Sequence, residues 1–369
     1  MQHASARLAI QAAIIWTLAS APLLISIAQS QTTPSLSAPK FLYSTDLSHG
    51  KVRVFLVNPT SGALTGTGQG PVSGHFVPTR VASDKRGYRL YVINQNSSDL
   101  NAYFINRSNG YLSHAPGSPF AIGHTPTDIK VHPAGHYVYV TAQSNWMFAF
   151  HVRSNGSLAA VAGSPFATVN KPQALEIDPQ GKYLYVSSYP ASSTPATSKV
   201  EAFTISSTDG ALTPIAGSPY VEPNSQSCSN GAWDMAIHPS GNFLILPNMC
   251  EGLVVYGIDR ATGSLTLIKG SPFAPPGGGF AAGGNVDGIA MDPRGVYFWV
   301  TDEYCSSGCT MTTDTWKLNN DRRSYLSREW HGSARSTGSL RSFGQILIRN
   351  WRHRFALWRS RPYTSDFGV

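Results

Sequence analysis

A four-residue phrase recurs along this chain as Gly117-Ser118-Pro119-Phe120, Gly163-Ser164-Pro165-Phe166, Gly217-Ser218-Pro219-Tyr220 and Gly270-Ser271-Pro272-Phe273. Its glycines lie 46, 54 and 53 residues apart. That interval is the length of a four-stranded propeller blade and far exceeds a leucine-rich or hexapeptide repeat. A chain built this way folds by repetition, each unit burying its apolar faces against its neighbours.

A second phrase keeps step with the first. Asp84-Lys85-Arg86-Gly87, His132-Pro133-Ala134-Gly135, Asp178-Pro179-Gln180-Gly181, His238-Pro239-Ser240-Gly241 and Asp292-Pro293-Arg294-Gly295 each lead into a run such as Leu90-Tyr91-Val92 or Val138-Tyr139-Val140. Polar turns ending in Gly and followed by β-branched and aromatic residues are tight turns into strands. Around Gly135 the unit reads as a strand at Ile129 to Val131, the turn, strands at Tyr137 to Thr141 and Met147 to Val152, then Ser157-Leu158 running into the Gly-Ser-Pro-Phe loop. The fold class is therefore all-β, a β-propeller of four-stranded blades with about six recognisable. The 34 Gly and 25 Pro residues and a charged fraction of only 13% suit short buried strands joined by tight turns.

Residues 1–30 read as a signal peptide. Arg7 precedes an apolar run from Leu8 to Ile27, and Ala28-Gln29-Ser30 places small residues for cleavage before Gln31. An uncleaved anchor is the alternative, because the run is long for a signal segment. Residues 31–40 are a polar linker, 41–327 the propeller with a degenerate last blade, and 328–369 a basic tail expected to lie outside it. The expected location is the periplasm or the extracellular space, without stable membrane insertion after cleavage.

Export permits cysteine oxidation. Cys305 and Cys309 enclose the turn-forming Ser306-Ser307-Gly308, which favours pairing them together and Cys228 with Cys250. A zinc site is the alternative, although no His stands at ligand spacing beside either pair.

The alternation of Leu-Tyr-Val strands, Asp-Pro-x-Gly turns and loops such as Gly210-Ala211-Leu212-Thr213-Pro214-Ile215-Ala216-Gly217-Ser218-Pro219-Tyr220 resembles the bacterial YVTN-repeat, lactonase-family seven-bladed β-propellers. Gly62-Ala63-Leu64-Thr65 is a degenerate first copy, and the resemblance runs from about Phe41 to Thr310. It implies 6-phosphogluconolactonase-like lactone hydrolysis in some members, lactone-forming cycloisomerisation in related ones and no known chemistry in many exported ones. The repeated residues shape blades and do not themselves name a substrate.

Opening a sugar lactone needs a base to activate water and donors to hold the oxyanion. In a propeller such groups gather where the loops before the innermost strands converge on the axial mouth. Reading there, the candidate catalytic residues are Asp128, Asp234, Glu176 and His124, and the candidate substrate-binding residues are Arg80, His75, Lys130 and Asp287. His75 and His124 stand at equivalent positions of adjacent blades, as do Asp128, Asp234 and Arg80 of three blades. Turn capping, repeat-derived similarity and ion pairs between blades are the structural alternatives for the same residues. No nucleophile elbow, phosphate-binding loop or helical metal-binding His pair appears, so neither a metal nor a cofactor is expected.

Residues 328–369 hold 8 of the 28 Lys and Arg and 2 of the 20 Asp and Glu, leaving residues 1–327 at only +2. The basic balance thus gives the propeller body no nucleic-acid-binding character. Two functions follow as expectations. One is an exported, monomeric lactonase-like propeller hydrolysing a sugar lactone at its axial mouth. The other is a non-catalytic scaffold presenting loops such as 189–198 and 223–230 to envelope glycans or proteins.

Overall fold

The computed structural model describes residues 40–318 except 48, 70–71, 74–76, 190–196, 224–231, 249–251, 274–284 and 306–308, with backbone alone for short strands at 13–14, 326–327, 346–350 and 354–358. The side chains of 73, 285–287, 302–313 and 318 lie outside that description. All the regular structure described is β, in six antiparallel sheets. No helix among the described residues is long and apolar enough to cross a membrane.

Blades 2, 3 and 4 are complete. Blade 2 comprises Pro78–Ser83, Arg89–Asn94, Asp99–Ile105 and Leu112–His114, and blade 3 comprises Pro126–Val131, Tyr137–Ala142, Trp146–Val152 and Leu158–Ala160. Blade 4 runs through Lys171–Ile177, Tyr183–Tyr189, Lys199–Ile205 and Leu212–Pro214. Blade 5 has a short inner strand, Ala236–Ile237, followed by Phe243–Asn248, Gly252–Ile258 and Leu265–Leu267. Blade 6 contains Asn285–Met291, Tyr297–Cys305, Cys309–Leu318 and Leu326–Ser327.

Blade 1 begins with its second strand, Phe41–Asp46, and continues through Lys51–Val57 and Leu64–Gly66. On its inner side the backbone of Ile346–Asn350 pairs at Ser44 with Ile346, and Ala13–Ile14 pairs with the same strand. Ile346–Asn350 forms a hairpin with Arg354–Trp358, which runs beside the first two strands of blade 6. The expectation that 328–369 stands outside the propeller concerns residues of which these backbone segments are all that is described.

The Gly-Ser-Pro-Phe phrase interrupts the outermost strand. In blade 3, Ala160 pairs with Phe150, the chain leaves the ladder, and Phe166 rejoins it opposite Met147. The interruption would strand the amide of Ala149, and Ser164 Oγ accepts that N–H at 3.0 Å. Ser118 does the same for Ala102, Ser218 for Ala202 and Ser271 for Val255, at 2.8–3.0 Å. The four Ser-Pro bonds are cis.

Strand tyrosines link blade 1 to 2, blade 3 to 4 and blade 4 to 5. Tyr43 donates to Gly110 O at 2.7 Å, Tyr139 to Gly210 O at 2.8 Å and Tyr185 to Gly263 O at 2.9 Å. Apolar clusters straddle every junction from blade 1 to blade 6. Tyr91 and Ile93 of blade 2, for example, pack with Ile129, Val138 and Val140 of blade 3. Among the described residues no such cluster joins blade 6 to blade 1.

The register of blade 6 sets the Cα atoms of Cys305 and Cys309 opposite each other. Their side chains, and the whole of Cys228 and Cys250, lie outside the described residues.

Candidate functional site

The innermost strand of a blade has a strand neighbour on one side only, so its axis-facing N–H and C=O groups need other partners. Four inner strands also shift register near their entrance, between Pro78 and Arg80, Pro126 and Asp128, Pro172 and Ala174, and Val286 and Gly288. A bulge of this kind twists the strand and re-aims its side chains.

Side chains of one blade satisfy the free edge of the next. Thr127 Oγ1 donates to Pro172 O at 2.9 Å, and Asp128 Oδ2 accepts from Leu175 N at 3.1 Å. Asp234 repeats this between blades 5 and 6, its Oδ2 accepting from Ile289 N at 3.3 Å and its Oδ1 from Met235 N at 2.9 Å. Arg80 Nε donates to Thr127 O at 3.3 Å and stands 3.6 Å from Asp128 Oδ1. Both aspartates are almost wholly buried. One oxygen of each is therefore engaged by a backbone donor across a blade junction.

Two residues further along the inner strands, Lys130 Nζ donates to Glu176 Oε2 at 2.5 Å. Burial alone would depress the Lys130 ammonium, but Glu176, Asp128 and Asp234 together outweigh it and hold it above the ordinary lysine value. Burial raises the Glu176 carboxyl, Lys130 opposes that rise, and Asp234 and Asp128 add to it. The Lys130 and Glu176 side chains keep 25% and 21% of their surface exposed, so solvent reaches the pair. The equivalent positions on blades 2, 5 and 6 are the small residues Ala82, Ala236 and Ala290.

The structure thus brings Arg80, Asp128, Lys130, Glu176 and Asp234 into one axial group. His124 lies instead against the Phe148 ring, with centroids 6.0 Å apart. Asp287 occupies the blade 6 bulge by its backbone, its side chain outside the description, and His75 lies wholly outside the described residues. Among the described residues no group of three His, Cys, Asp or Glu side chains is placed to hold a metal.

Where the blade 4 inner strand begins, Tyr189 pairs with Lys171, the first residue of that strand, and its ring lies 5.7 Å from that of Trp233. Lys171 Nζ is 6.0 Å from the Tyr189 ring. Sequence reasoning did not single out Tyr189 and Trp233 as a pair, nor Glu201, which lies buried on the third strand of blade 4. Burial raises the Glu201 carboxyl to about 7, although Val169 N donates to both its oxygens at 3.1 Å and Ser188 adds a longer bond.

Residues 35–119 match the model of a family described as lactonase, 7-bladed beta-propeller. The fold is that of a β-propeller. A candidate 6-phosphogluconolactonase from Bacteroides uniformis superposes with a TM-score of 0.60 at 17% identity, over 78% of this chain and 80% of that one. A protein from Lactobacillus plantarum gives 0.61 at 17%, over 80% and 82%, and a second candidate 6-phosphogluconolactonase, from Bacteroides fragilis, gives 0.57 at 16%, over 79% and 80%. At such identities the likeness is one of fold. No curated protein sequence matches the chain. The family is named for seven blades, and the described residues form six sheets.

Proposed function

We propose that this protein is an exported, monomeric hydrolase of a sugar lactone, acting in the axial channel. The observation that carries the reading is the solvent-reachable Lys130–Glu176 pair inside a ring of further charges. Glu176, its basicity raised by burial, takes a proton from a water molecule as that water attacks the lactone carbonyl. The Lys130 ammonium faces the developing oxyanion. Collapse breaks the acyl–oxygen bond, and the proton passes from Glu176 to the departing ring oxygen, giving the open hydroxy acid. Asp128 and Asp234 hold the inner strands in register and sustain the charge on Lys130. Export rests on the apolar segment before residue 30 and argues against a phosphogluconolactone, a cytoplasmic metabolite, as the natural substrate.

The experiment is turnover of a panel of sugar lactones by purified protein, with spontaneous hydrolysis subtracted. Hydrolysis of at least one, lost in Glu176→Gln, is expected. No turnover of any lactone removes the proposal.

The tilted Tyr189 and Trp233 rings beside Lys171 support a second reading, a non-catalytic scaffold that binds glycans of the envelope. Aromatic rings offer an apolar face with a polar edge, suited to sugars. Saturable glycan binding without turnover, abolished in Trp233→Ala, favours that reading.

A further inference from the structure

The opposite face of the propeller, where the Asp-Pro-x-Gly turns lie, carries a cleft of about 230 Å³ between blades 2 and 3. Its walls are the turn from Asp84 to Arg89, the turn from Pro133 to His136, and Arg153 with its neighbours. Four cations line it, Lys85, Arg86, Arg89 and Arg153, against a single carboxylate, Asp84. Asp84 is buried, and its Oδ1 already accepts from Tyr88 N at 2.7 Å and Arg89 N at 3.2 Å.

None of the four cations has an ion-pair partner among the described residues. Arg89 Nε is buried without a hydrogen-bond acceptor among them. An unsatisfied buried donor is costly, more so on a charged group. The equivalent turns of the other blades do not repeat the pattern. They carry Pro133-Ala134, Pro179-Gln180, Pro239-Ser240 and Pro293-Arg294, and Arg294 is paired at 3.2 Å with its own turn's Asp292. Concentrating four unpaired cations in one concavity, where residues 1–327 together carry only +2, creates a local field that the rest of the ring does not dilute.

We propose that this cleft binds a small soluble ligand through a phosphate or sulfate ester group. Guanidinium forks match the oxygen geometry of such groups, and Lys85 adds a point charge. The volume takes an oxyanion and part of the group it is attached to. The site lies on the face away from the Tyr189–Trp233 pair and is independent of whatever the axial channel does.

The test is isothermal titration of the full chain with inorganic phosphate, sulfate and pyrophosphate, at ionic strength matched with chloride. Saturable binding is expected. Lys85→Gln/Arg86→Gln should weaken it at least tenfold and Arg153→Gln about fivefold, while Arg294→Gln leaves it unchanged. All four substituted side chains are at least partly exposed, and equal melting temperatures establish that folding is intact. The ratio of phosphate to sulfate affinity assigns the ester. Absence of saturable binding by all three anions, or equal affinity in Lys85→Gln/Arg86→Gln and the unmodified protein, overturns the proposal.

Discussion

Replacing Gly181 by Ala probes the contact that joins the turns of neighbouring blades. Gly181 has φ +73°, and a Cβ there would lie 2.2 Å from His132 Nε2 and 2.6 Å from Cε1. The imidazole is held at both nitrogens. Ala134 N donates to Nδ1 at 3.1 Å, which places the proton on Nε2, and Nε2 donates to Gly181 O at 2.9 Å. The ring also stands edge-on to Tyr137 at 5.8 Å. It cannot swing aside without giving up both hydrogen bonds, each contributing about 1 kcal/mol. The left-handed backbone adds about 1–2 kcal/mol for a residue with a Cβ, partly offset by lower entropy of the unfolded chain. Gly181→Ala should therefore destabilise by roughly 3 kcal/mol. Gly123, with φ +76° and nothing within 4 Å of an added Cβ, reports the backbone term alone, about 1 kcal/mol. In a His132→Ala background, Gly181→Ala should fall to the Gly123→Ala value, making the double mutant about 2 kcal/mol more stable than the sum of the single effects. Equilibrium urea unfolding followed by tryptophan fluorescence measures all five proteins. Additive effects, or a Gly181→Ala cost equal to that of Gly123→Ala, would refute the reasoning.

Ser164→Ala leaves the Ala149 amide without its acceptor and should cost about 1–3 kcal/mol, with faster exchange of that amide. Asp234→Ala removes the acceptor shared by Met235 N and Ile289 N, and should lower the urea midpoint more than an exposed control such as Asp209→Ala. Glu201, its carboxyl raised to about 7 from an ordinary 4.5, stabilises the protein below pH 4.5, and that contribution is lost as pH rises towards 7. Glu201→Gln should then match the parent protein near pH 4.5 and exceed it by roughly 2–3 kcal/mol at pH 8 in pH-resolved urea unfolding; a stability difference that does not change with pH would contradict this.

The blades were legible because the constraints that make them are local. A turn glycine, a strand tyrosine and the Gly-Ser-Pro phrase each answer a backbone requirement that recurs once per unit. What the phrase does was not legible. It reads as a loop, yet it is a gap in the outermost strand plugged by Ser Oγ, and the gap exists only once the third strand lies beside it. The positions of Asp128, Asp234 and Arg80 as equivalents were visible in the repeat, but their hydrogen bonds to the next blade depend on an unpaired inner edge that no single unit displays. The Lys130–Glu176 pair left a usable trace, since the two are 46 residues apart, the interval between Gly117 and Gly163. Two residues one repeat apart stand at the same height on adjacent blades. Glu201 left none, because a carboxylate on a third strand has the sequence context of any exposed strand residue, and only the Val169 loop folding over it makes it buried.

The pH dependence of lactone hydrolysis tests the central claim most directly. With Glu176 as base and its carboxyl raised by burial, kcat/KM should fall on acidification at a pH above the ordinary glutamate value of 4.5, while exposed carboxylates are still ionised. Glu176→Gln should lose that acidic limb together with about 10²–10⁴-fold of the rate, while still unfolding cooperatively in urea at a midpoint lowered by loss of the Lys130 pair. A Glu176→Gln protein that hydrolyses the same lactone at the parent rate, with the same acidic limb, would contradict the assignment of the axial channel as the catalytic site.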